Sequence, residues 1–219
     1  MAKPLQSPSL LKASALDRIA RAVANAETAT SCELVVVLAP ASSRYEGRAL
    51  KAGAAAALLT FLALYWVLRF MTNWPPDALW LLAESCVIGA LATLAFSRVA
   101  IFKRLLISRA ATSAMVTSTS NAVFMEQKVA STREHNAVLI FISLFEGEAR
   151  VVADQGLNGK IPESVLNEVQ ARLNETREGD SLQLVEGAIT SIGSLCAGAF
   201  PRRPDDQNEL PDSPVIRLP

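Results

Sequence analysis

The residues best placed for chemistry in this chain follow one predicted strand. Asp154 ends the apolar segment 149–154, and Gly156 and Asn158 follow it in a short loop. In α/β sheets, ligands gather outside the carboxyl ends of strands. Carboxylate and amide oxygens suit a hard divalent cation such as Ca²⁺ or Mg²⁺. The loop is therefore a candidate ligand or cation site, and the alternative is that Asp154 only caps its own turn.

A cation site needs more acidic groups than Asp154 supplies. Glu33 and Asp180 are further candidates, although no spacing along the chain links either to the loop. His135, the only histidine, precedes the strongest predicted strand, where a base or ligand role competes with that of a solvated strand-entry residue. The sequence shows no Cys/His cluster that would predict a zinc site, and no spacing that completes a histidine-based triad around His135.

The cysteines and the charge balance exclude other classes of function. Cys32, Cys86 and Cys196 are widely spaced, so the sequence predicts neither structural zinc nor a disulfide framework, but free thiols in a reducing compartment. The 21 basic and 21 acidic residues cancel, which gives no reason to expect nucleic acid as a partner. The mean hydropathy of +0.28 is high for a soluble protein.

Two apolar runs account for that hydropathy. Residues 52–68 form a run of 17 residues without a charge, and residues 78–96 form a run of 19 with Glu84 as the one charge. About 17–25 apolar residues suffice for a helix to cross a bilayer. The intervening segment is short and contains Pro75 and Pro76, through which a helix does not continue. The pattern predicts a transmembrane hairpin with spans at about 50–70 and 78–97.

The charges around the runs predict an orientation. Basic residues precede the first run and follow the second, whereas the connecting segment has only Arg69 at its border. By the positive-inside rule, both soluble pieces face the cytoplasm of a multi-pass protein in the inner or plasma membrane. Aromatic residues near the connection suit a membrane interface, and they are Tyr65, Trp66, Trp74 and Trp80.

Polar and small residues inside the runs have functional alternatives. Glu84 is expected to reach toward the interface, to pair with Arg69 across the hairpin or to meet a partner helix. Gly53 and the four alanines after it permit close helix approach, either within the hairpin or between protomers, which leaves a homo-oligomer open.

Around the hairpin, the hydrophobic pattern predicts a small α/β domain. The continuous apolar runs at 33–39 and 137–144 are typical of buried strands, and 149–154 is a hairpin partner for the second. The tail from Pro201 is proline-rich and acidic, and is predicted to be extended or disordered, docking either on this domain or on a partner. Helices are predicted at 11–28, 98–130, 163–176 and 181–199.

An ordered set of segments resembles the TPM domain family. They are the segments 30–38, 136–144 and 149–156, together with the proline-containing segments 200–201 and 208–214, and the last two are similar to the ends of bacterial membrane-bound members. The resemblance implies a compact α/β/α sandwich. It also implies a range of activities, from acid phosphatase in a plant lumen member to repair of a membrane complex and receptor modulation.

Together these observations predict a small TPM-like α/β/α sandwich that is interrupted by a two-helix transmembrane hairpin. Because no complete catalytic constellation is visible, the expected function is a non-catalytic interaction or regulatory module at the cytoplasmic membrane, with an unidentified protein partner. The alternative is a metal-dependent phosphatase at the membrane surface. The chain is predicted to consist of a flexible N-terminus (1–10), a first domain segment (11–47), the hairpin (48–98), a second domain segment (99–200) and the tail (201–219).

Overall fold

A computed structural model describes residue 5 and residues 8–42, 46–71, 77–98, 109–175 and 180–218. The chain divides into two compact units. Residues 1–43 and 112–219 make up the sheet unit, and residues 44–111 make up the helix-pair unit. Each is described separately.

The sheet unit contains a mixed four-stranded sheet. Its strands are β1 (Leu34–Ala39), β2 (Val138–Ser143), β3 (Glu148–Ala153) and β4 (Val215–Ile216), in the spatial order β3-β2-β1-β4. Strand β1 pairs in parallel with β2 over six residues, and in parallel with β4 on its other side. Strands β2 and β3 form an antiparallel hairpin. The α/β class predicted from the sequence is confirmed.

Four helices accompany this sheet, and hydrophobic clusters lie on both of its faces. The helices are α1 (Ala13–Glu27), α4 (Arg109–Glu126), α5 (Glu163–Asn174) and α6 (Ser181–Ala199). Helices α1, α5 and α6 contribute to the first cluster and α4 to the second.

Strand β1 shows how the sequence fits between these clusters. All six of its residues are buried, and alternate residues enter opposite clusters, Val36 into one and Val37 into the other. The period of two in a strand sends neighbouring side chains to opposite faces, so a continuous apolar run fits a strand covered on both.

The acidic, proline-rich tail is extended and docks on the sheet unit. It supplies β4, and the Arg217 N–H donates to the Leu38 carbonyl at 3.0 Å. Farther along the side chain, the Arg217 guanidinium forms two hydrogen bonds to the Glu126 carboxylate at 3.0 and 3.1 Å. Residues 201–218 therefore form a strap, and this name is kept below.

The helix-pair unit consists of α2 (Glu46–Met71) and α3 (Ala78–Arg98). Gly53 approaches Gly89 and Thr93, whereas Ala57, farther along α2, approaches Gly89. The two helices are therefore antiparallel. A Cβ on Gly89 would lie 2.7 Å from the Ala57 Cβ and 2.8 Å from the Gly53 carbonyl oxygen, so glycine at these positions lets the backbones touch.

Three described helices are long and apolar enough to span a membrane: α2, α3 and α6. Those of the helix pair keep large apolar side chains exposed, such as Leu59 at 67% and Leu79 at 80%. The predicted continuous helix over 98–130 is described only in parts, because α3 ends at Arg98 and α4 starts at Arg109. Residues 99–108 lie outside the described residues, as does the connecting segment 72–76 with its two prolines.

Candidate functional site

Asp154 lies immediately after β3 and caps a short 3₁₀ helix, Gln155–Leu157. Its Oδ1 accepts a hydrogen bond from the Gln155 N–H at 2.7 Å. The residue is 4% exposed, and Oδ2 is buried without a hydrogen-bond partner among the described residues. Asp154 thus caps its own turn, as the alternative predicts, but only through one of its two carboxylate oxygens.

The second oxygen faces His135. The Nδ1 of His135 lies 3.4 Å from Asp154 Oδ2 and 3.0 Å from the Ala130 carbonyl oxygen, to which an Nδ1–H donates. His135 has a left-handed backbone with φ of 52°, and its side chain is 47% exposed. The sole histidine is therefore a half-exposed strand-entry residue that contacts a buried carboxylate, which is an ion pair whenever the ring is protonated.

Gly156 holds these two segments together. Its N–H donates to the His135 carbonyl at 2.8 Å. A Cβ at this position would lie 2.4 Å from the carbonyl oxygens of both Glu134 and His135, closer than any side chain tolerates. The glycine is therefore needed for the close approach of two backbones.

The location of Asp154 differs from the premise of the predicted cation site. Because β3 runs antiparallel to β2, the carboxyl end of β3 lies beside the amino ends of β1 and β2. The rule for ligands applies to the carboxyl ends of parallel strands, which are at the opposite edge. Asn158 belongs to the same turn, with its N–H donating to the Gln155 carbonyl at 3.1 Å, and is exposed.

The further acids have other roles. Asp180 caps α6, with its Oδ1 accepting from the Leu182 N–H at 3.0 Å. In the described ranges, no group of three or more His, Cys, Asp or Glu side chains is arranged to hold a metal ion. Of these four side-chain types, the described residues therefore place only the Asp154 carboxylate and the His135 imidazole together at the Asp154 loop, whereas Ca²⁺ takes six to eight oxygen ligands.

Glu33 is a buried carboxylate that holds the strap. One oxygen accepts from the Glu209 N–H at 3.1 Å and the other from the Leu210 N–H at 3.2 Å. Burial raises the pKa of Glu33, and these two N–H groups partly offset the effect. Nearby, Arg203 pairs with Glu134, which ties the strap to the turn that carries His135.

Glu27, at the end of α1, is a second perturbed acid that sequence reasoning missed. Its Oε1 accepts from the Leu34 N–H at 2.8 Å. Burial, reinforced by the negative charges of Glu33 and Asp212, raises the pKa of Glu27 to about 8, against the lowering effect of that hydrogen bond. Its only sequence signal is an acid shortly before a predicted strand, which gives no information about burial.

The carboxyl ends of β1 and β2 carry a hydroxyl and carboxylate network. The Ser42 Oγ donates to the Ser143 Oγ at 2.8 Å, and Ser143 donates to the Glu146 carboxylate. That carboxylate also accepts from the Ser42 N–H at 3.1 Å, and Thr119 donates to the Ser42 carbonyl at 3.0 Å. These bonds join the exit of β1 to the β2–β3 turn and to α4, so they stabilise this edge.

Arg69 and Glu84, the two charged residues whose pairing across the helix pair is one prediction, lie apart. Arg69 lies near the end of α2 with its guanidinium 5.6 Å from the Phe70 ring centroid, and Glu84 is exposed on α3. No ion pair joins Arg69 to Glu84 in the described part of the chain. The packing of Gly53 on Gly89 and Thr93 places Glu84 level with about residue 61, so roughly 12 Å of helix separates it from Arg69.

All three cysteines are free. Cys86 is exposed on α3, whereas Cys32 and Cys196 are buried in one cluster of the sheet unit. The Cys196 thiol hydrogen-bonds to the Cys32 thiol and lowers its pKa, while this contact and burial raise the pKa of Cys196. The two thiols are thus core residues in contact.

Comparison with known proteins supports the fold only. No family model matches the chain, and no curated protein matches it. Among solved structures, the chain is similar to the NMR structure of BA42 protein from the psychrophilic bacterium Bizionia argentinensis, with a TM-score of 0.54, 17% sequence identity and 94% of each chain covered.

Proposed function

We propose that this chain is a membrane-anchored, TPM-type interaction or regulatory module without catalytic activity. The observation that carries the proposal is the six-residue parallel pairing of β1 with β2, because the helix pair lies between these two strands in the chain. A pair of antiparallel spans returns the chain to the side from which it left. The chain segments before and after the helix pair can then form one sheet.

The burial of α6 supports assigning two spans rather than three. Eight of its residues are buried, and most of them belong to the core cluster that also contains β1 and β2. Its apolar composition is thus explained by packing within the sheet unit. In α3 only Leu81, Ser85 and Gly89 are buried, and these lie at intervals of four on one side of the helix. Lipid would cover the remaining apolar surface of α2 and α3.

The charge distribution supports a cytoplasmic sheet unit. Arg44, Arg48 and Lys51 precede or begin the first span, and Arg98 ends the second. Basic residues flanking spans remain on the cytoplasmic side. The module would then work at the cytoplasmic surface of the inner or plasma membrane.

The roles of the acids favour a non-catalytic module. Glu33 binds the strap, Asp180 caps α6 and Glu146 accepts from Ser42, so these carboxylates stabilise the fold. The alternative, a metal-dependent phosphatase at the Asp154 loop, requires further ligands, which the described residues do not bring there. If that alternative is correct, purified protein will hydrolyse a generic phosphate ester with Mg²⁺ or Ca²⁺, and Asp154→Asn will abolish the activity.

Topology is tested by labelling single cysteines in intact cells with a membrane-impermeant maleimide. Ala24→Cys on α1 and Asp205→Cys on the strap, each exposed, should react only after permeabilisation. Asn73→Cys in the connecting segment should react without it. Cys86→Ser serves as the background, since the other two thiols are buried. Opposite labelling of Ala24→Cys and Asp205→Cys would refute a two-span hairpin.

The interaction function is tested by chemical crosslinking in native membranes and purification of the tagged chain. We expect one stoichiometric partner that is absent from the purification of an unrelated two-span protein expressed at the same level. The recovery of the chain alone, in every crosslinking condition, would contradict the proposal.

A further inference from the structure

A groove of about 420 Å³ runs around the outer edge of β3, between α4 and α5. Since β3 is the last strand of the sheet, one row of its backbone groups has no neighbouring strand. In an antiparallel pair, alternate residues direct their backbone hydrogen bonds away from the partner strand. The N–H groups of Ala149 and Val151 are bound by side chains of α5, so this outward row consists of Ala149, Val151 and Ala153.

Helix α5 occupies two of these three positions with amide side chains. The Asn174 amide accepts from the Ala149 N–H at 2.7 Å and donates to the Ala149 carbonyl at 3.0 Å, as a peptide group of a fifth strand would. Gln170, one turn earlier, accepts from the Val151 N–H at 3.0 Å. At Ala153 this series of amide side chains from α5 ends. Among the described residues, none accepts from the Ala153 N–H, and this residue lines the groove.

The groove presents further hydrogen-bonding groups. Arg150 Nε is buried without a partner in the described ranges, although the same guanidinium binds Glu148 at 2.8 Å. The amides of Asn121, Asn158 and Asn167 line the groove as well, alongside apolar side chains from the 3₁₀ turn and α5. Alternating donors and acceptors along a strand edge complement the N–H and C=O groups of an extended peptide.

The charge of the groove selects among peptides. Arg150 is neutralised by Glu148, whereas Glu163 at the start of α5 forms no ion pair within the described residues. One uncompensated negative charge therefore remains among the lining residues. A segment with a basic side chain would complement it.

We propose that this groove binds a short extended peptide segment that carries a basic residue and adds to the edge of β3 at Ala153. The inference rests on the proposed interaction function and names the chemistry of the partner and its place of contact. The volume suits about two or three residues, so the contact is one recognition motif within a larger interface.

The test is an NMR titration of the full chain in nanodiscs, with ¹⁵N-labelled alanine and valine. The probes are the capped tripeptides acetyl-Gly-Lys-Gly-amide and acetyl-Gly-Glu-Gly-amide, with glucose as a hydrogen-bonding molecule without an amide strand. We expect saturable shifts at Ala153 and Val151 with the lysine peptide, and about fivefold weaker binding of the glutamate peptide at low salt. Glu163→Gln should remove that preference.

Two variants test the position of the peptide. Ala153→Pro replaces the outward N–H by a proline ring, a change that edge strands tolerate, and should weaken binding about 3- to 10-fold. Asn121→Arg fills the groove from the exposed face of α4 and should weaken binding more than 10-fold. Its control is Ser118→Arg, at an exposed position on the same helix that does not line the groove.

Three results would overturn the inference: no saturable shift at millimolar peptide, equal affinity in Ala153→Pro and Asn121→Arg to that of the wild type, or shifts with glucose alone. Each of these results can be distinguished from a failure of the proposed interaction function. Partner capture from membranes can succeed through another surface even when the groove binds no peptide, and a chain that captures no partner refutes the function itself.

Discussion

Replacement of Glu27 by glutamine should stabilise the sheet unit in alkaline solution and leave it unchanged in acid. The glutamine carbonyl retains the acceptor for the Leu34 N–H, and the change removes only the charge. In the folded chain the pKa of Glu27 is raised to about 8, from an ordinary value of 4.5, chiefly by burial. The folded state therefore keeps a proton that the unfolded state releases.

The sign follows from proton linkage. Because the pKa of Glu27 is raised in the folded chain, its contribution to the free energy of unfolding is fully present below pH 4.5. That contribution is lost as the pH rises through 8. At ~1.36 kcal/mol per pH unit, the interval between the two values corresponds to about 5 kcal/mol as an upper limit. Since ~1 kcal/mol shifts the melting temperature of a domain of this size by about 2–4 °C, the variant should melt roughly 10 °C above the wild type at pH 9.

The assay is thermal unfolding by circular dichroism in detergent at pH 4 to 9, reported as the difference between variant and wild type. The difference cancels other titrations, such as that of Glu126, whose pKa is lowered by Arg217 and whose contribution has the opposite sign. Glu168→Gln, in an exposed pair with Arg172, is the matched control and should give a flat difference within about 0.5 kcal/mol. A flat curve for Glu27→Gln, or destabilisation at pH 9, would refute the reasoning.

Three further substitutions follow from the packing. Gly156→Ala should lower the stability of the sheet unit by about 1–3 kcal/mol in thermal unfolding, because its Cβ meets two carbonyl oxygens at 2.4 Å, while Gly187→Ala, in open space, should be neutral or stabilising. Gly89→Leu should separate the helix pair and lower its melting temperature in detergent, and an unchanged melting temperature would contradict the close approach of the two backbones. Arg217→Ala should cost less than about 1 kcal/mol yet speed proteolysis of the strap, and an unchanged cleavage rate would argue against docking through Glu126.

The parts predicted from the sequence are those with a local signal. The apolar runs that form β1 and β2 identify themselves by composition, and Pro162 and Asp180 mark the starts of α5 and α6. Pro162 is the N-cap of α5, which starts at Glu163 as predicted.

What the sequence does not reveal depends on contacts between distant segments. The strap pairs with β1 through two residues, Val215 and Ile216, too few to show a period of two. Glu33 binds backbone groups 176 and 177 positions away, which no spacing encodes. The premise of the prediction for Asp154 needs the strand direction, which the sequence does not show: β3 runs antiparallel, so its carboxyl end lies beside the amino ends of β1 and β2.

The position of the insertion has a consequence for how the sheet forms. Both partners of β1, namely β2 and β4, come from the chain after the helix pair, so β1 cannot pair until that segment has been made. The gap from Ala39 to Val138 is long, but the antiparallel packing of α2 on α3 brings the two ends of the pair to the same side. Each halving of a flexible loop reduces the closure cost by about 0.6 kcal/mol. Assembly of the helix pair therefore favours sheet closure, and Gly89→Leu should slow refolding of the sheet unit as well as loosening the pair.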